Sequence, residues 1–436
     1  MIHPHAAREH PPVRIALTGA NGGYGRTLLA QLRRTPELVP AVLVDPDAAG
    51  VRGTLSELGT DPGSITLLPD ATDLRWDDVN VLVEASGHVG AGTAYAEAAL
   101  AHGVHVVMVS KEVDTVAGVA LAARAETAGL RYLPADGDQP ANLLRLVDWV
   151  SATGLDIVAI GKSGEYDLVF DPGRGTVEYA GTTIDAPGLA ALLNLGDDAR
   201  TTLRERAALL TALKRSAAAD LCEMTVVATR TGAVPDVEGL HYPVARIAEL
   251  ADIYADRERG GVRGRDGIVD VFSALRLPGE ASFAGGVFAV VRTDDPVTWE
   301  VLRGKGHVLS SDGSHACVYW PYHFMGVETP LTIHAAVTGE GVAPRARPTT
   351  LLAARAVTAL DAGTNFRVAG HHHEINDVAP VMVDPDAGAA PYYLLDGARL
   401  RHPVEAGALV RIDDLDDVAP APLAAYLDAT SQEVRA

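Results

Sequence analysis

A glycine-rich turn between an apolar run and a helical pattern constrains this sequence most. The run covers residues 13–18, the glycines are Gly19, Gly22 and Gly25, and the helical pattern covers residues 27–34. Glycine permits positive φ angles and a close approach of the backbone, and the free N–H groups of a helix start attract phosphate. This order predicts a site for a dinucleotide pyrophosphate, with an ordinary tight turn as the alternative.

The second apolar run supports a nicotinamide cofactor. It covers residues 39–44 and ends in Asp45, whose carboxylate would accept hydrogen bonds from the adenosine ribose and repel a 2′-phosphate. We therefore expect NAD rather than NADP, although Asp45 beside Pro46 would also suit a plain loop. The expected cofactor-binding residues follow the first, second and third strong strands: Gly19, Asn21, Gly22, Gly23, Tyr24, Gly25, Asp45, Ser86 and Gly87.

Apolar runs alternate with helical patterns over the first 150 residues. This alternation predicts an α/β fold with a doubly wound parallel sheet. The predicted strands are 13–18, 39–44, 79–85, 104–109 and 130–134, and the predicted helices are 27–34, a short one near 54–58, 92–101, 116–128 and 141–153.

The pattern becomes mixed after residue 155, and a small module rich in turns and short strands follows from about 349 to 417. The mixed region predicts an α+β substrate and oligomerisation domain. Its predicted elements, together with a terminal helix, are strands at 157–160, 169–170, 176–179 and 283–292, a long helical stretch at 198–231, a helix at 322–339 and a tail helix at 420–436.

Composition narrows the class of protein. The chain has 436 residues and 47% hydrophobic residues, which suits two or three domains. We expect a cytoplasmic protein, because no apolar run is long enough to span a membrane, the His- and Pro-rich N-terminus lacks a signal pattern, and there are two distant cysteines. A net charge of −21 opposes nucleic acid and anionic membranes, so we expect a small-molecule substrate.

Lysine is rare in this chain: Lys111, Lys162, Lys214 and Lys305 are the four lysines among 36 basic residues. A chain that otherwise uses arginine retains lysine where a compact ammonium group or proton transfer is needed. Lys111 follows the fourth apolar run and lands at the edge of the sheet where ligands bind. There its amine would accept the proton of a substrate alcohol, or it would form a structural salt bridge with a neighbouring acid.

Polar residues follow two further strands. Asp136, Asp138 and Gln139 precede a helix and would bind substrate hydroxyls or cap that helix. In the segment 161–166, Lys162 lies on a glycine-flanked turn after a strand and would contact substrate phosphate, carboxylate or hydroxyl groups, unless it is a solvated loop lysine. Glu165 and Tyr166 are expected to bind substrate beside it.

Histidines provide the remaining candidates. His323 lies in an apolar segment five residues before Glu328, and it would take part in catalysis or be a core histidine. We expect Glu328 to bind substrate. The run 371–374 resembles a metal-binding sequence, but only His371 and His373 of a strand would share a face, so we expect no metal.

Several stretches that follow the family's order make the sequence resemble the homoserine dehydrogenase-like NAD(P)-dependent oxidoreductases with a C-terminal SAF domain. They span most of the chain: 110–114, 137–140, 158–162, 285–288, 319–323 and 326–330. The resemblance implies a Rossmann domain at 10–154, a homoserine dehydrogenase-like central domain at 155–344, part of which packs back on the first, and an SAF-like domain and tail at 345–436. It also implies a homo-oligomer and assigns the family's active-site lysine to Lys111.

One departure affects the substrate. The family's Gly-Thr-Lys-Ser phrase is absent before Glu223 and Met224, unless Lys214 replaces its lysine, so homoserine is not expected. The sequence predicts NAD-dependent oxidation or reduction of an alcohol on a polyol, sugar or hydroxy-acid-like molecule, with Lys111, Lys162, Asp138 and His323 as catalytic residues. Two alternatives stay open: an NAD-dependent lyase or dehydratase that oxidises, eliminates and re-reduces a sugar or nucleoside, and a non-catalytic NAD- or ligand-binding protein.

Overall fold

The alternating pattern at the beginning of the chain folds into alternating strands and helices. A computed structural model describes residues 12–196, 198–341 and 344–430; the sequence predictions for the N-terminus and for 431–436 lie outside these ranges. The first elements are β1 (Val13–Thr18), α1 (Gly23–Leu32), β2 (Leu38–Val44), α2 (Ala48–Glu57), β3 (Thr66–Leu68), β4 (Val81–Glu84), α3 (Val89–Ala101), β5 (His105–Met108), α4 (Lys111–Thr127) and β6 (Tyr132–Pro134).

The middle of the chain mixes helices with strands of both directions. Its elements are α5 (Gln139–Ser151), β7 (Asp156–Ser163), β8 (Leu168–Asp171), β9 (Thr176–Tyr179), β10 (Thr182–Asp185), α6 (Ala199–Leu209), α7 (Ala218–Thr231), β11 (Val234–Pro235), β12 (Val244–Ala245), α8 (Leu250–Ile253), β13 (Ile268–Arg276), β14 (Val287–Arg292), α9 (Pro296–Gly304), β15 (Val308–Leu309) and β16 (Ala316–Trp320).

The last quarter contains two helices separated by short strands. They are α10 (Thr329–Thr338), β17 (Leu351–Ala356), β18 (Val368–Ala369), β19 (Glu374–Ile375), β20 (Val378–Val383), β21 (Arg399–Leu400), β22 (Leu415–Asp416) and α11 (Pro420–Thr430). Short segments of 3-10 helix connect many of these elements. No helix within the described ranges has the length and apolar character needed to cross a membrane.

The described chain forms two compact units. The first contains residues up to 138, residues 324–345 and residues 420–429, and the second contains residues 139–323 and 346–419. These units divide the chain at other positions than the predicted domain boundaries at 154 and 344, which remain predictions. The SAF-like assignment of the C-terminal region likewise remains a prediction.

The first unit is built on a six-stranded parallel sheet in the order β3-β2-β1-β4-β5-β6. Strands buried on both faces need apolar residues throughout, and β1 and β4 supply them in Ile15, Leu17, Leu82 and Val83, which have no exposed surface. The strand order reverses between β1 and β4, and the carboxyl ends of strands at such a point form the ligand-binding crevice of doubly wound sheets. The predicted α/β fold with a doubly wound parallel sheet is therefore confirmed.

Two helices from late in the chain complete the core of the first unit. Ile333 and Ala336 of α10 and Ala425 and Ala429 of α11 are buried against residues of the first 138 positions. On the surface, Arg124 forms ion pairs with Glu97 and with Asp428 of α11.

The second unit is built on a mixed sheet whose main order is β10-β9-β8-β13-β7-β14-β16-β15. The nine-residue strand β13 occupies the middle: it pairs in parallel with β7, β8, β11 and β12, and β14 pairs with β7 antiparallel. The sequence analysis did not predict β13, although eight of its nine residues are buried. The rings of Phe272, Phe283, Phe288 and Tyr254 pack together on this sheet.

The C-terminal segment packs on α7 within the second unit. The backbone N–H of Arg347 donates to the carbonyl of Thr229 at 2.7 Å, and Thr349 donates from its hydroxyl to the carbonyl of Ala228 at 3.0 Å. These bonds reach the last turn of α7. The segment is thereby fastened to the helix that carries part of the candidate site.

Three predicted helices differ in their bounds from the observed ones. The helical stretch 198–231 is two helices, α6 and α7, separated by residues 210–217. The predicted helix at 322–339 begins only at Thr329, where Pro330 occupies an early helical position that suits proline. The predicted helix near 54–58 belongs to the longer α2, which begins after Asp47, whose side chain accepts a hydrogen bond from the N–H of Gly50.

Candidate active site

The glycine-rich turn between β1 and α1 requires glycine at two positions. Gly19 has a φ of +65°, and a Cβ atom there would lie 2.1 Å from the carbonyl oxygen of Ala85 at the end of β4. A Cβ atom on Gly25 would lie 2.5 Å from the carbonyl oxygen of Gly19. Both positions exclude a side chain because another backbone segment already occupies the space.

The N-terminus of α1 fits an anionic ligand. Gly22 is the N-cap residue and offers no side-chain cap, and the first turn of the helix has no acidic residue. Gly22 and Gly23 are exposed, and a Cβ atom on Gly23 would meet nothing within 4 Å. The first N–H groups of the helix are thus available to the pyrophosphate of NAD, and the predicted cradle fits the cofactor.

Asp45 braces this turn. Its carboxylate accepts hydrogen bonds from the N–H of Asn21 at 2.9 Å and from the N–H of Asp47 at 2.8 Å. The Asn21 side chain in turn donates to Asp47 at 2.9 Å. A ribose-binding role for Asp45 remains a proposal, and the structure adds a second acid, the more exposed Asp47, at the same strand end.

The side chain of Tyr24 forms hydrogen bonds within the first unit. Its hydroxyl lies 2.6 Å from the Thr329 hydroxyl and donates to the carbonyl of Asp136 at 3.1 Å. Burial raises the pKa of this phenol. The hydroxyl therefore joins α1 to α10 and to the segment after β6, and a cofactor-binding role for Tyr24 remains a proposal.

Glu84, at the end of β4, is a buried carboxyl group that the sequence analysis left without a role. It accepts hydrogen bonds from the Thr18 hydroxyl at 3.1 Å and from both the N–H and the hydroxyl of Ser86. The N–H of Gly87 donates to the Ser110 hydroxyl at 2.8 Å. Complete burial raises the pKa of Glu84, and its bonds fix the turn at Ser86 and Gly87 to the neighbouring strand end.

Asp136 and Glu328, two predicted substrate-binding acids of the first unit, accept hydrogen bonds from residues in or just before α10. Asp136 is buried, and its carboxylate accepts a hydrogen bond from the Thr332 hydroxyl at 2.5 Å. Glu328 accepts a hydrogen bond from the N–H of Phe324 at 3.1 Å. These bonds favour structural roles for both carboxylates. Asp138 lies close enough to Tyr24 for its charge to raise the pKa of that phenol.

Lys111 is the first residue of α4 and is half-buried after the end of β5. The acids that follow it in the first turn, Glu112 and Asp114, are buried, and the Tyr132 hydroxyl donates to Asp114 at 3.2 Å. An acid in the first turn interacts favourably with the helix dipole. The position at the carboxyl edge of the parallel sheet is the one predicted for Lys111; its catalytic role remains a proposal.

Lys162 lies inside β7 of the second unit, so the prediction of a turn was wrong. Its side chain is 1% exposed and donates to Asp220 at 2.7 Å and to Glu223. The Tyr242 hydroxyl donates to the other oxygen of Asp220 at 3.1 Å, and complete burial raises the pKa of Tyr242 well above its ordinary value. An ammonium group, two carboxylates and a phenol thus share one buried cluster.

The sequence analysis missed the roles of Asp220 and Glu223. They lie three residues apart in α7 and therefore share a face of the helix; that spacing was the available signal. Lys214 does not replace the missing family lysine, because it precedes α7 in an exposed segment and pairs with Glu374.

Gln139 and His323, two other predicted site residues, lie close to Gly285 in the second unit. Gly285 has a φ of +71°, and a Cβ atom there would lie 2.2 Å from Cε1 of His323 and 3.0 Å from Nε2 of Gln139. The next strand, β14, begins at Val287, which pairs with Lys162. The structure therefore brings Gln139 and His323 together beside the strand end that borders Lys162.

Glu165 and Tyr166, just after β7, contact a loop of the C-terminal segment. Glu165 lies 2.8 Å from Nε2 of His371 and 3.2 Å from Nδ1 of His372, and the Tyr166 ring packs edge-on against His372. His373 has a φ of 52°, so these histidines form a turn and not the strand assumed from the sequence. In the part of the chain that the structure describes, no three His, Cys, Asp or Glu side chains are placed to hold a metal ion.

Two family models match consecutive parts of the chain. The homoserine dehydrogenase NAD-binding domain matches residues 21–134, and the catalytic domain of oxidoreductase DRL matches residues 137–329. The chain is an NAD(P)-dependent oxidoreductase, in which an NAD-binding domain of the homoserine dehydrogenase type precedes a catalytic domain of the DRL type. The match to an NAD-binding domain confirms the predicted cofactor, whereas the preference for NAD over NADP remains a prediction.

Solved structures resemble this oxidoreductase only distantly. An oxidoreductase domain protein from Kribbella flavida is 24% identical over 36% of this chain and 44% of its own, with a TM-score of 0.28, so the match spans less than half of that protein. A hyperthermophilic archaeal homoserine dehydrogenase with NADPH is 14% identical over 76% of this chain and 99% of its own, with a TM-score of 0.39.

The UDP-N-acetylglucosamine 3-dehydrogenase GnnA from Acidithiobacillus ferrooxidans is 13% identical over 76% of this chain and 91% of its own, also with a TM-score of 0.39. No curated protein sequence matches this oxidoreductase significantly. At these TM-scores the solved structures add nothing to the assignment, which depends on the two family models.

Proposed function

We propose that this oxidoreductase transfers a hydride between NAD and an alcohol group of a small polar molecule, such as a polyol, a sugar or a hydroxy acid. The observation that carries the proposal is the buried cluster of Lys162, Asp220 and Glu223 inside the region that matches the catalytic domain. Burying charges costs free energy that an apolar core would avoid, and such clusters concentrate at functional sites.

The cluster suits the orientation of a hydroxylated substrate. Carboxylates accept and ammonium groups donate hydrogen bonds, and two carboxylates hold the Lys162 amine in one place. Gln139 and His323, which converge on Gly285, add a donor and a proton-sharing group near the same strand end. Glu165 and Tyr166 are proposed to contact substrate from the other side of β7, next to the histidine turn.

Lys111 is proposed to accept the proton of the substrate alcohol. Its neutral amine can act as a base where its surroundings lower its basicity. Asp138 is proposed to share or relay that proton. Bound NAD supplies the hydride acceptor at its nicotinamide ring, and the first unit holds the cofactor through the turn at Gly19–Gly25.

The function is tested with purified protein, NAD and a panel of polyols, sugars and hydroxy acids, followed by NADH absorbance. We expect at least one alcohol to give NADH in proportion to product. The Lys111→Met variant should bind NADH like the parent protein and lose activity about 100-fold or more. The matched control is Lys305→Met, which replaces an exposed lysine at the end of α9 and should keep full activity.

Three outcomes would contradict the proposal or a part of it. Product without a stoichiometric amount of NADH would identify the lyase or dehydratase mechanism with internal redox chemistry. Full activity of Lys111→Met would remove that residue from the mechanism, and NADH binding without turnover of any alcohol would favour a non-catalytic role. Homo-oligomer formation is a separate proposal, tested by light scattering on the same samples.

A further inference from the structure

A cavity of about 370 Å³ in the second unit has an unusual lining. Helix α6 forms one wall, and the segments before α7, before β12 and around residue 260 form the others. Six of the lining residues are polar, namely Arg200, Arg204, Arg215, His241, Tyr242 and Arg257, and four apolar residues complete the lining.

The cavity is cationic in a strongly acidic protein. Four of its ten lining residues are arginines and none is acidic, whereas the whole chain has 57 acidic and 36 basic residues. Among the described residues, none forms a salt bridge with Arg200, Arg204 or Arg215. Arg257 does have a partner, because its guanidinium lies 3.1 Å from Asp236, which also contacts His241 at 2.9 Å.

The geometry of α6 directs two of these arginines to the cavity. Arg200, Leu203, Arg204 and Ala207 recur at intervals of three and four residues, so they share one face of the helix. Arg200 and Arg204 are exposed. Their side chains therefore reach the cavity from its solvent side.

Arg215 lies deeper. Its Nη1 donates to the carbonyl of Tyr242 at 3.1 Å and to the Ser273 hydroxyl at 3.2 Å, while its buried Nε has no hydrogen-bond partner. Burial lowers the pKa of this guanidinium. A buried donor without a partner costs free energy, and a bound anion would supply the missing acceptor.

We propose that this cavity binds the phosphate group of a small molecule. Guanidinium groups match phosphate oxygens through paired hydrogen bonds, and a phosphate dianion offsets several of the unpaired charges at once. The volume suits a phosphate with a small organic group attached. The wall of the cavity is also part of the buried cluster, because the Tyr242 hydroxyl donates to Asp220.

The experiment measures binding of inorganic phosphate and of phenyl phosphate to the full chain by calorimetry, at constant ionic strength set with NaCl. We expect saturable binding of both probes. The double variant Arg200→Gln with Arg204→Gln should weaken it about tenfold or more, which corresponds to ~1.4 kcal/mol. The matched control is Arg303→Gln on α9, an exposed arginine outside the cavity lining, which should bind both probes like the parent protein.

The two probes distinguish the source of the phosphate. Tighter binding of phenyl phosphate identifies a phosphorylated organic molecule, and equal binding identifies free phosphate. The Arg215→Gln variant, checked for folding by its unfolding transition, should lose binding as well. Unsaturable binding to the parent protein, or equal binding to the double variant, would overturn the proposal. NADH binding should stay unchanged throughout, so this result is independent of the proposed oxidoreductase activity.

Discussion

At the scale of single residues, the described chain keeps several charged groups in places where water cannot solvate them. Lys162, Asp220 and Glu223 form one such group, and the carboxyl groups of Glu84 and Asp270 are completely buried. Apolar residues of similar volume at these positions would often stabilise the folded state more. The free energy of such groups is therefore measurable by substitution, one residue at a time.

Lys162 gives the largest expected effect. The Lys162→Met change leaves two buried carboxylates without their cation, and breaking a buried ion pair in this way destabilises a protein by about 3–5 kcal/mol. Urea unfolding measures the loss. The Lys305→Met control, on an exposed lysine, should stay within about 0.5 kcal/mol of the parent protein. Equal unfolding curves for the two variants would show that Lys162 is not buried in this cluster.

Asp270 predicts a pH dependence of stability. Burial raises the pKa of this carboxyl group from 3.8 to about 6. The folded state therefore binds a proton that the unfolded state releases as the pH rises between about 4 and 6, so this group makes folding progressively less favourable over that range, on the order of 3 kcal/mol in total.

The Asp270→Asn variant removes this titration, and its amide oxygen can still accept the hydrogen bonds from His241 and Val271. Relative to this variant, the parent protein should lose stability between pH 4 and pH 6 and change little above that. Urea unfolding at several pH values measures the difference. A difference that does not vary with pH would contradict the raised pKa.

At the scale of elements, two substitutions in the turn between β1 and α1 should affect stability and cofactor binding separately. Gly19→Ala places a methyl group 2.1 Å from a carbonyl oxygen at positive φ, so we expect a loss of about 1–3 kcal/mol or more in stability. Gly23→Ala meets no atom within 4 Å; it should leave stability unchanged and weaken NADH binding about tenfold, because the new methyl group faces the expected pyrophosphate.

Fluorescence titration with NADH and thermal unfolding measure the two effects. The control is Gly53→Ala in α2, which also meets no atom within 4 Å and should leave NADH binding unchanged while raising helix stability slightly. Unchanged NADH affinity in Gly23→Ala would place the cofactor elsewhere.

The sequence predicted the first unit far better than the second. Parallel strands buried on both faces have continuous apolar runs, so β1, β2, β4 and β5 were recognisable from these runs alone. In the second unit, β13 contains Asp270 and Ser273 within its buried run, and these polar residues hid the strand. Tertiary burial, which the sequence pattern does not encode, decides its position.

The dependence on tertiary packing also explains which parts of the candidate site could be predicted from the sequence. Lys162 and His323 were identified by residue type, and the turn glycines by their spacing. The carboxylate partners of Lys162 were missed because they lie about sixty positions further along the chain, and pairing over such a distance depends on the packing of α7 on the sheet. Residue chemistry was therefore predictable, and residue partnership was not.

At the scale of the whole molecule, the net charge of −21 should oppose the compact state at neutral pH. Salt screens this repulsion over about 10 Å at 0.1 M, so added NaCl should raise the melting temperature at pH 7.5. Near pH 5, which is the isoelectric point of the sequence, the net charge approaches zero, and the effect of salt should nearly vanish. Thermal unfolding across this grid measures it; a salt effect of equal size at both pH values would contradict the repulsion.

The first unit is discontinuous in sequence, and this has a consequence for synthesis on the ribosome. Its interior lacks Ile333 and Ala336 until α10 has been made, and lacks Ala425 and Ala429 until α11 has been made. The part of the protein that is translated first is consequently finished last. The sheet of the first unit therefore stays incompletely covered while almost three hundred further residues leave the exit tunnel.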